Sequence, residues 1–248
     1  MQKIPPSRDP HAGIRLTSFD PDGVAVIFGA SGGIGAALVS ALGAANHFKT
    51  VIGFSRGSAI PVDLADEASL ERAAKTAAAA GTIRLVVDAT GFLSDPGQPP
   101  EKTWRDLEAK KLAHAFAINA IGPALLMKHV LPRLPRSGKA VFATLSARVG
   151  SIGDNRLGGW YAYRASKAAL NQFVRTASIE LARRAPEAVC VALHPGTVDT
   201  SLSAPFAKQG LSLHTPAAAA ADLLTVLDGL EAGDNGGFFD WRGDQVPW

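Results

Sequence analysis

Short apolar runs alternate with longer segments of helical pattern along most of this chain. Five runs are apolar on successive residues rather than on alternate ones, which is typical of strands buried on both faces of a parallel sheet. Each run precedes a helical pattern, which predicts right-handed crossovers and a doubly wound α/β fold. The strands are predicted at residues 24–28, 51–54, 83–87, 140–145 and 189–193, with an edge strand at 238–239. The helices are predicted at residues 34–45, 66–80, 103–131, 160–185 and 216–230.

The length and composition fit one domain with a full hydrophobic core. The chain has 248 residues, 47% of them hydrophobic, and it shows no internal repeat and no break in composition. We therefore expect a single domain at residues 24–248, preceded by a poorly patterned lead-in at residues 1–23.

The charges and the single cysteine argue against several kinds of partner. The net charge is only +3, and the one basic group, Arg133, Arg136 and Lys139, is interpreted as a solvated loop, so nucleic acid is not expected. Cys190 is alone, and no Cys/His cluster indicates a metal site. No apolar run looks long enough to cross a bilayer, and the N-terminal stretch lacks the apolar core of a signal peptide. The expectation is a cytoplasmic protein without a membrane partner.

A glycine-rich turn follows the first predicted strand and opens the first predicted helix. Its sequence is Gly29-Ala30-Ser31-Gly32-Gly33-Ile34-Gly35. Small residues let the backbone turn sharply and approach a pyrophosphate, whose charge is favoured by the first amides of the helix. The alternative is an ordinary tight turn, but the position between a strand and a helix favours dinucleotide binding.

Tyr163 and Lys167 are four residues apart, on one face of the helix predicted at residues 160–185. An ammonium beside a phenol lowers the pKa of the phenol. A tyrosine in such a pair exchanges a proton near neutral pH. An accidental pairing is the alternative when these two residues are taken alone.

Together these motifs resemble the short-chain dehydrogenase/reductase family, from about Val24 to the C-terminus. The glycine spacing is Gly-x-x-x-Gly-x-Gly, formed by Gly29, Gly33 and Gly35. The stretches 153–160 and 238–243 are similar to the C-factor-like branch of that family. The resemblance implies a Rossmann-type fold and hydride transfer between a nicotinamide and a carbonyl or alcohol.

The resemblance also assigns catalytic roles. It implies that Tyr163 is the general acid/base, that Lys167 holds the ribose hydroxyls and tunes the tyrosine, and that Asn119 supports a proton relay. The family's catalytic serine is displaced here, because alignment on Gly150 puts Ala147 in its place. Ser146 is the best candidate, and the alternatives are Ser151 or no serine at all. His194 is expected to be structural.

The same resemblance implies a set of cofactor contacts. Pro195-Gly196 matches a segment that positions the nicotinamide, and Asp63-Leu64 matches a pair that contacts the adenine. The family's Asn-Asn-Ala-Gly is replaced by Asp88-Ala89-Thr90-Gly91, which keeps only the glycine. The expected cofactor-binding residues are Gly29, Ser31, Gly33, Ile34, Gly35, Ser55, Arg56, Asp63, Leu64, Ala89, Thr90, Gly91, Asn119, Tyr163, Lys167, Pro195, Gly196, Thr197, Val198 and Thr200.

The residues after the second predicted strand favour NADP(H) over NAD(H). NAD sites of this type place a carboxylate there, which bonds the ribose 2′-hydroxyl. This chain has Ser55-Arg56 instead. A carboxylate repels a 2′-phosphate, whereas arginine binds one through charged hydrogen bonds. The alternative is that Arg56 lies on a solvated loop.

The sequence therefore predicts an NADP(H)-dependent oxidoreductase that acts on a small carbonyl or alcohol compound. The alternative is a dinucleotide-binding regulatory or signalling protein of the C-factor type with little turnover. By resemblance, the helices at 103–131 and 160–185 pair in a homodimer or homotetramer. The segment 201–215 is interpreted as either a lid or a plain surface loop. The substrate pocket is expected to be lined by Phe92, Leu93, Arg148, Asn155 and Trp160.

Overall fold

Six parallel strands form one sheet in the order β2-β1-β3-β4-β5-β6. The computed structural model describes residues 13–95, 97–203 and 213–248. Every strand bound lies within one residue of its predicted position, so the predicted parallel sheet is confirmed. The strands are β1 Val24–Phe28, β2 Thr50–Phe54, β3 Ile83–Asp88, β4 Ala140–Leu145, β5 Ala188–His194 and β6 Phe238–Asp240.

Helices connect the strands and cover both faces of the sheet. A π-helical turn at Ala117–Ile121 joins α3 to α4. The α-helices are α1 Gly33–Ala45, α2 Glu67–Ala80, α3 Ala109–Phe116, α4 Gly122–Val130, α5 Tyr161–Arg184 and α6 Pro216–Gly229.

The predicted start of the helix at 103–131 is wrong. Trp104–Asp106 forms a separate 3-10 turn, which a capping box closes. In that box the Thr103 hydroxyl accepts from the Arg105 amide and the Asp106 carboxylate accepts from the Thr103 amide. Leu107 is extended after this turn, so α3 begins only at Ala109.

Two hydrophobic clusters lie on opposite faces of the sheet, because successive strand residues point to opposite sides. Val24, Val26 and Phe28 join the cluster with α2, α4 and α5, while Ala25 and Ile27 join the cluster with α1 and α6. The strands are therefore buried on both faces, as their continuous apolar pattern predicts.

Two residues of the predicted lead-in are part of the core, although no hydrophobic pattern predicted this. Leu16 and Phe19 are buried in the cluster that includes α1 and α6.

The ammonium of Lys139 donates to the carbonyl oxygens of Leu227 and Asp228. The interpretation of Lys139 as part of a solvated loop is therefore wrong.

Within residues 13–95, 97–203 and 213–248, one helical segment, Ala109–Arg133, is long and apolar enough to span a membrane by length and composition. The expectation that no run reaches that length is corrected accordingly. Half of its 18-residue window is buried inside the fold, and core helices of soluble proteins pass the same test.

Because all six strands run in parallel, the loops after their C-terminal ends gather at one edge of the sheet. The strand order changes direction between β1 and β3, since β2 lies outside β1 and β4 follows β3. Ligands of doubly wound sheets bind at such a switch point. The predicted site residues in the loops after β1, β2, β3, β4 and β5 therefore lie at this edge.

Candidate active site

The glycine turn after β1 is held by close backbone contacts. Gly29 has a φ of +79°, and a Cβ there would lie 3.0 Å from the Ala89 backbone. A Cβ on Gly35 would lie 2.1 Å from the Gly29 carbonyl oxygen. Gly29 accepts only glycine because of its positive φ and the loop after β3, and Gly35 accepts only glycine because the turn folds back onto the start of α1.

The N-terminus of α1 fits an anion. Its N-cap residue, Gly32, offers no side-chain cap, and the first turn carries no acidic residue. By contrast, Asp66 caps α2 and Thr215 caps α6 through side-chain oxygens. The first amides of α1 and the helix dipole therefore remain available for a pyrophosphate.

The segment after β5 lies against this turn and borders a cavity of about 420 Å³. A Cβ on Gly33 would lie 2.7 Å from the methyl group of Thr200. The predicted cofactor residues that line the cavity are Ile34, Tyr163, Pro195, Gly196, Thr197, Val198 and Thr200. The structure thus brings predicted cofactor residues from three distant stretches of the chain around one space.

The predicted adenine and ribose contacts lie toward the β2 side of the site. Arg56 is exposed and makes no hydrogen bond or ion pair with the residues that the structure describes. The Ser55 amide donates to the Ser58 hydroxyl. The Asp63 carboxylate accepts from the Ala65 amide, and Leu64 is buried.

Lys167 is buried next to the cavity, and its side chain is hydrogen-bonded to the end of β4. Its ammonium donates to the Leu145 carbonyl oxygen at 2.7 Å. The same Nζ lies 5.9 Å from the centre of the Tyr163 ring. The helical spacing of four residues therefore places both groups at the site, with the tyrosine on the cavity wall.

Burial shifts the pKa values of both groups. It raises the pKa of Tyr163 to about 12. Burial also lowers the pKa of Lys167 to about 8, while the charge of Asp88 acts in the opposite direction. The expectation of a lowered tyrosine pKa is wrong for this structure, because burial disfavours the phenolate and so raises the pKa of Tyr163.

Asp88, which stands where the family has asparagine, is a fully buried carboxylate at the end of β3. One of its oxygens accepts from the Thr90 hydroxyl at 2.5 Å and from the Thr90 amide at 3.1 Å. The other accepts from the Thr144 hydroxyl at 2.7 Å. Burial raises the pKa of Asp88, and these hydrogen bonds oppose that shift. Its role as a charged neighbour of Lys167 was missed by the sequence reasoning.

Asn119 lies in the π-helical turn and ties the loop after β3 to α5. Its Oδ1 accepts from the Phe92 amide at 2.8 Å. Its Nδ2 donates to the Phe92 carbonyl oxygen at 2.7 Å and to the Ser166 hydroxyl at 3.1 Å. The side chain is fully engaged in these contacts, and the proton-relay role remains a prediction.

The two candidate serines occupy different environments. Ser146 borders the cavity and donates its hydroxyl proton to Asn171 Oδ1 at 2.6 Å. Ser151 is buried outside the cavity lining and accepts from the Asp154 amide. Ala147 also lines the cavity. Asn171 was missed by the sequence reasoning, and no motif around it pointed to this contact.

Three of the five predicted pocket residues line the cavity, namely Leu93, Arg148 and Trp160. Phe92 lies in a smaller neighbouring pocket, and Asn155 instead accepts from the Gly158 amide. Residues 204–212 of the predicted lid segment lie outside the described residues. Leu202 and Ser203, at its start, line the cavity.

His194 also lines the cavity, at the end of β5. Its Nδ1 is buried and has no hydrogen-bond partner among the described residues. Burial lowers the pKa of His194 to about 4. The imidazole is therefore neutral at physiological pH.

Known proteins are similar to this chain in sequence and in architecture. A family model described as Enoyl-(Acyl carrier protein) reductase matches residues 29–223, which is most of the chain. The chain belongs to the short-chain dehydrogenase/reductase family. The C-signal protein of Myxococcus xanthus is 41% identical over 143 residues, which cover 58% of this chain and 82% of that relative. This member of the short-chain dehydrogenase/reductase family thus lies in the C-factor-like branch.

Other relatives and solved structures are oxidoreductases. The 1-hydroxy-2-glutathionyl-2-methyl-3-butene dehydrogenase of a Rhodococcus species is 34% identical over 57% of this chain, which spans 61% of that relative. NADPH-bound carbonyl reductase from chicken fatty liver superimposes with a TM-score of 0.80 and 26% identity, over 94% of this chain and 97% of that one. This short-chain dehydrogenase/reductase is therefore an NAD(P)-dependent oxidoreductase.

Proposed function

We propose that the protein transfers hydride between NADP(H) and a small carbonyl or alcohol compound, with Tyr163 as general acid/base. The observation that carries this proposal is the shared cavity, in which Tyr163 faces the Pro195-Gly196 segment. Lys167 lies behind the tyrosine, 5.9 Å from its ring centre. The chicken carbonyl reductase with bound NADPH supports the reaction class.

Each site residue has a distinct task in this proposal. The glycine turn and the first amides of α1 hold the pyrophosphate, and the bound dinucleotide supplies the hydride. The pKa of Tyr163, about 12, keeps its hydroxyl protonated, which is the form that gives a proton to a carbonyl oxygen. Lys167 is an ammonium below its pKa of about 8, and its charge stabilises the phenolate left after that transfer.

Ser146 is the serine that we propose orients the substrate oxygen. It borders the cavity, whereas Ser151 does not line it. Because the Ser146 proton is donated to Asn171, the hydroxyl must rotate away from that amide to donate to a substrate.

The preference for NADP(H) is supported by Arg56, whose guanidinium is exposed after β2 and free of partners among the described residues. We expect Arg56→Ala to weaken NADPH binding about tenfold and leave NADH binding unchanged, since one charged hydrogen-bonded contact is lost. Titration of both cofactors against both proteins measures this. Equal affinities of the wild type for NADPH and NADH contradict the preference.

We further propose that a second copy of the chain covers the surface formed by α4 and α5. A groove of about 410 Å³ between these helices is lined by residues that include Leu131 and Phe173. Ile121, Phe173 and Ile179 are 42% to 50% exposed. Light scattering of the wild type and of Phe173→Asp tests this, because a monomeric wild type excludes the dimer. The cytoplasmic location stays a prediction.

The second candidate function is dinucleotide-dependent regulation with little turnover. The 41% identity to C-signal and the hydrogen bond of Ser146 to Asn171 favour it. A panel of aldehydes, ketones and quinones with NADPH oxidation as the readout separates the two candidates. Tight NADPH binding without oxidation across the panel supports regulation, and turnover of any member supports the oxidoreductase.

A further inference from the structure

We infer that the substrate is a carbonyl compound that also carries a carboxylate, and that Arg156 binds this carboxylate. The inference rests on the proposed function, because it concerns the same cavity. It assigns a specificity-determining role to a loop that carries none of the predicted catalytic residues.

The cavity combines an apolar wall with an excess of positive charge. Its apolar side chains include Leu93, Val149, Leu157 and Trp160, which suit a hydrocarbon or aromatic body. Among the described residues of the lining, three guanidinium groups accompany a single carboxylate. These charged residues are Arg148, Arg156, Arg164 and Asp154.

Two of the three arginines already have partners. The Arg148 guanidinium lies 3.6 Å from the Asp154 carboxylate. Arg164 donates to the carbonyl oxygens of Gly158, Gly159 and Val149 and so fixes the loop before α5. The N–H donors of these two side chains are therefore engaged within the protein, although Arg164 keeps its positive charge.

Arg156 keeps its donors for a ligand. Its contact with the Asn155 carbonyl oxygen, at 3.4 Å, is long and involves one of five N–H groups. A guanidinium presents a rigid fork that matches both oxygens of a carboxylate. The side chain is exposed at the cavity rim, so the substrate carboxylate lies at the open end and the carbonyl lies deeper, beside Tyr163.

The loop that carries Arg156 is fixed on both sides of it. The Ser151 hydroxyl accepts from the Asp154 amide, and Asn155 Oδ1 accepts from the Gly158 amide. The Trp160 amide donates to the Glu101 carbonyl oxygen at 2.5 Å. A guanidinium on such a loop loses little freedom of the backbone when it binds a ligand.

The position of Arg156 also separates it from the phosphates of a dinucleotide. The glycine turn follows β1 and Arg56 follows β2, whereas the loop with Arg156 follows β4. In the sheet β4 lies two strands from β1, on the side away from β2. This offset is about 10 Å at the usual strand spacing.

Binding of two matched aldehydes, 4-formylbenzoate and 4-formylbenzamide, tests the inference. Their dissociation constants are measured with saturating NADPH in a Tyr163→Phe background, where no turnover depletes the ligand. We expect the carboxylate to bind about tenfold more tightly at low salt, and Arg156→Gln to bring the ratio close to one. Arg156→Lys retains part of the preference. Arg183→Gln, an equal loss of charge at the far end of α5, leaves the ratio unchanged.

Equal or undetectable binding of the two aldehydes overturns the inference, as does a preference that survives in Arg156→Gln. Steady-state assays of the protein with Tyr163 intact use the same two compounds. Turnover of both with equal kcat/KM overturns the inference and leaves the proposed function standing. Absence of turnover of these two compounds and of every member of the aldehyde, ketone and quinone panel, with a retained binding preference, overturns the proposed function and leaves the carboxylate site standing.

Discussion

The glycine turn after β1 and the serine segment after β4 are two halves of one site, and they relate to the sequence in different ways. The turn follows the family spacing, and the structure gives it close backbone contacts at Gly29 and Gly35. The serine segment departs from the pattern, with Ala147 on the cavity wall and Ser146 bonded to Asn171. The shape of the glycine turn is set by backbone contacts, which require glycine at fixed positions of the sequence. The role of a side chain such as Ser146 depends instead on a partner from another part of the chain.

Gly35→Ala tests the steric account of the glycine turn and has the largest expected effect. Its Cβ would lie 2.1 Å from the Gly29 carbonyl oxygen. We expect a loss of about 3 kcal/mol of stability and no measurable NADPH binding. Chemical denaturation and fluorescence titration measure the two effects.

Gly43→Ala is the matched control, since it lies in the same helix and a Cβ there meets nothing within 4 Å. We expect it to add about 0.5–1 kcal/mol of stability, because alanine favours the helix. Normal NADPH binding by Gly35→Ala contradicts the steric account of the turn.

Ser146→Ala tests the role of the serine segment after β4, and Ser151→Ala is its matched control. If Ser146 orients the substrate oxygen, its removal lowers kcat about 10²-fold, as expected when one preorganised donor is lost. Ser151→Ala removes the acceptor of the Asp154 amide and costs about 1 kcal/mol of stability with little effect on kcat. Equal kcat values for the two variants show that Ser146 has no special role at the reacting oxygen.

The sheet was predictable because the strands are marked in the sequence by continuous apolar runs, which indicate burial on both faces. Five continuous apolar runs fixed the strand positions to within one residue, and the glycine spacing located the turn at the switch point. The start of α3 was not predictable, because the capping box of Thr103 and Asp106 closes a separate turn.

The electrostatics of the site were not predictable from spacing. The positions of Tyr163 and Lys167 indicated that they share a helix face, but the spacing does not reveal how deeply they are buried. Burial reverses the expected direction of the Tyr163 pKa shift. Asp88 ends β3, and Lys167 on α5 donates to the Leu145 carbonyl oxygen at the end of the neighbouring strand β4. Only the folded chain therefore brings the charge of Asp88 close to Lys167.

Asp88→Asn has the smallest expected effect and concerns the pH dependence. Reduction requires the Lys167 ammonium, so the rate falls as pH rises through the Lys167 pKa of about 8. The Asp88 charge raises that pKa, and its removal moves the fall to lower pH. A kcat profile measures the shift. Asp66→Asn is the control, because asparagine also caps a helix and Asp66 lies at the start of α2. An unchanged profile in Asp88→Asn excludes a coupling between Asp88 and Lys167.

The most direct test of the central claim compares the only two tyrosines of the chain. Tyr161→Phe and Tyr163→Phe each remove one hydroxyl from the first turn of α5, and only Tyr163 lines the cavity. The measurement is the single-turnover rate of NADPH oxidation by an aldehyde substrate of the wild type, with NADPH affinity determined in parallel. We expect Tyr163→Phe to lose about 10³-fold or more in rate with NADPH affinity retained, and Tyr161→Phe to match the wild type. A Tyr163→Phe rate within tenfold of the wild type contradicts the assignment of Tyr163 as the proton donor.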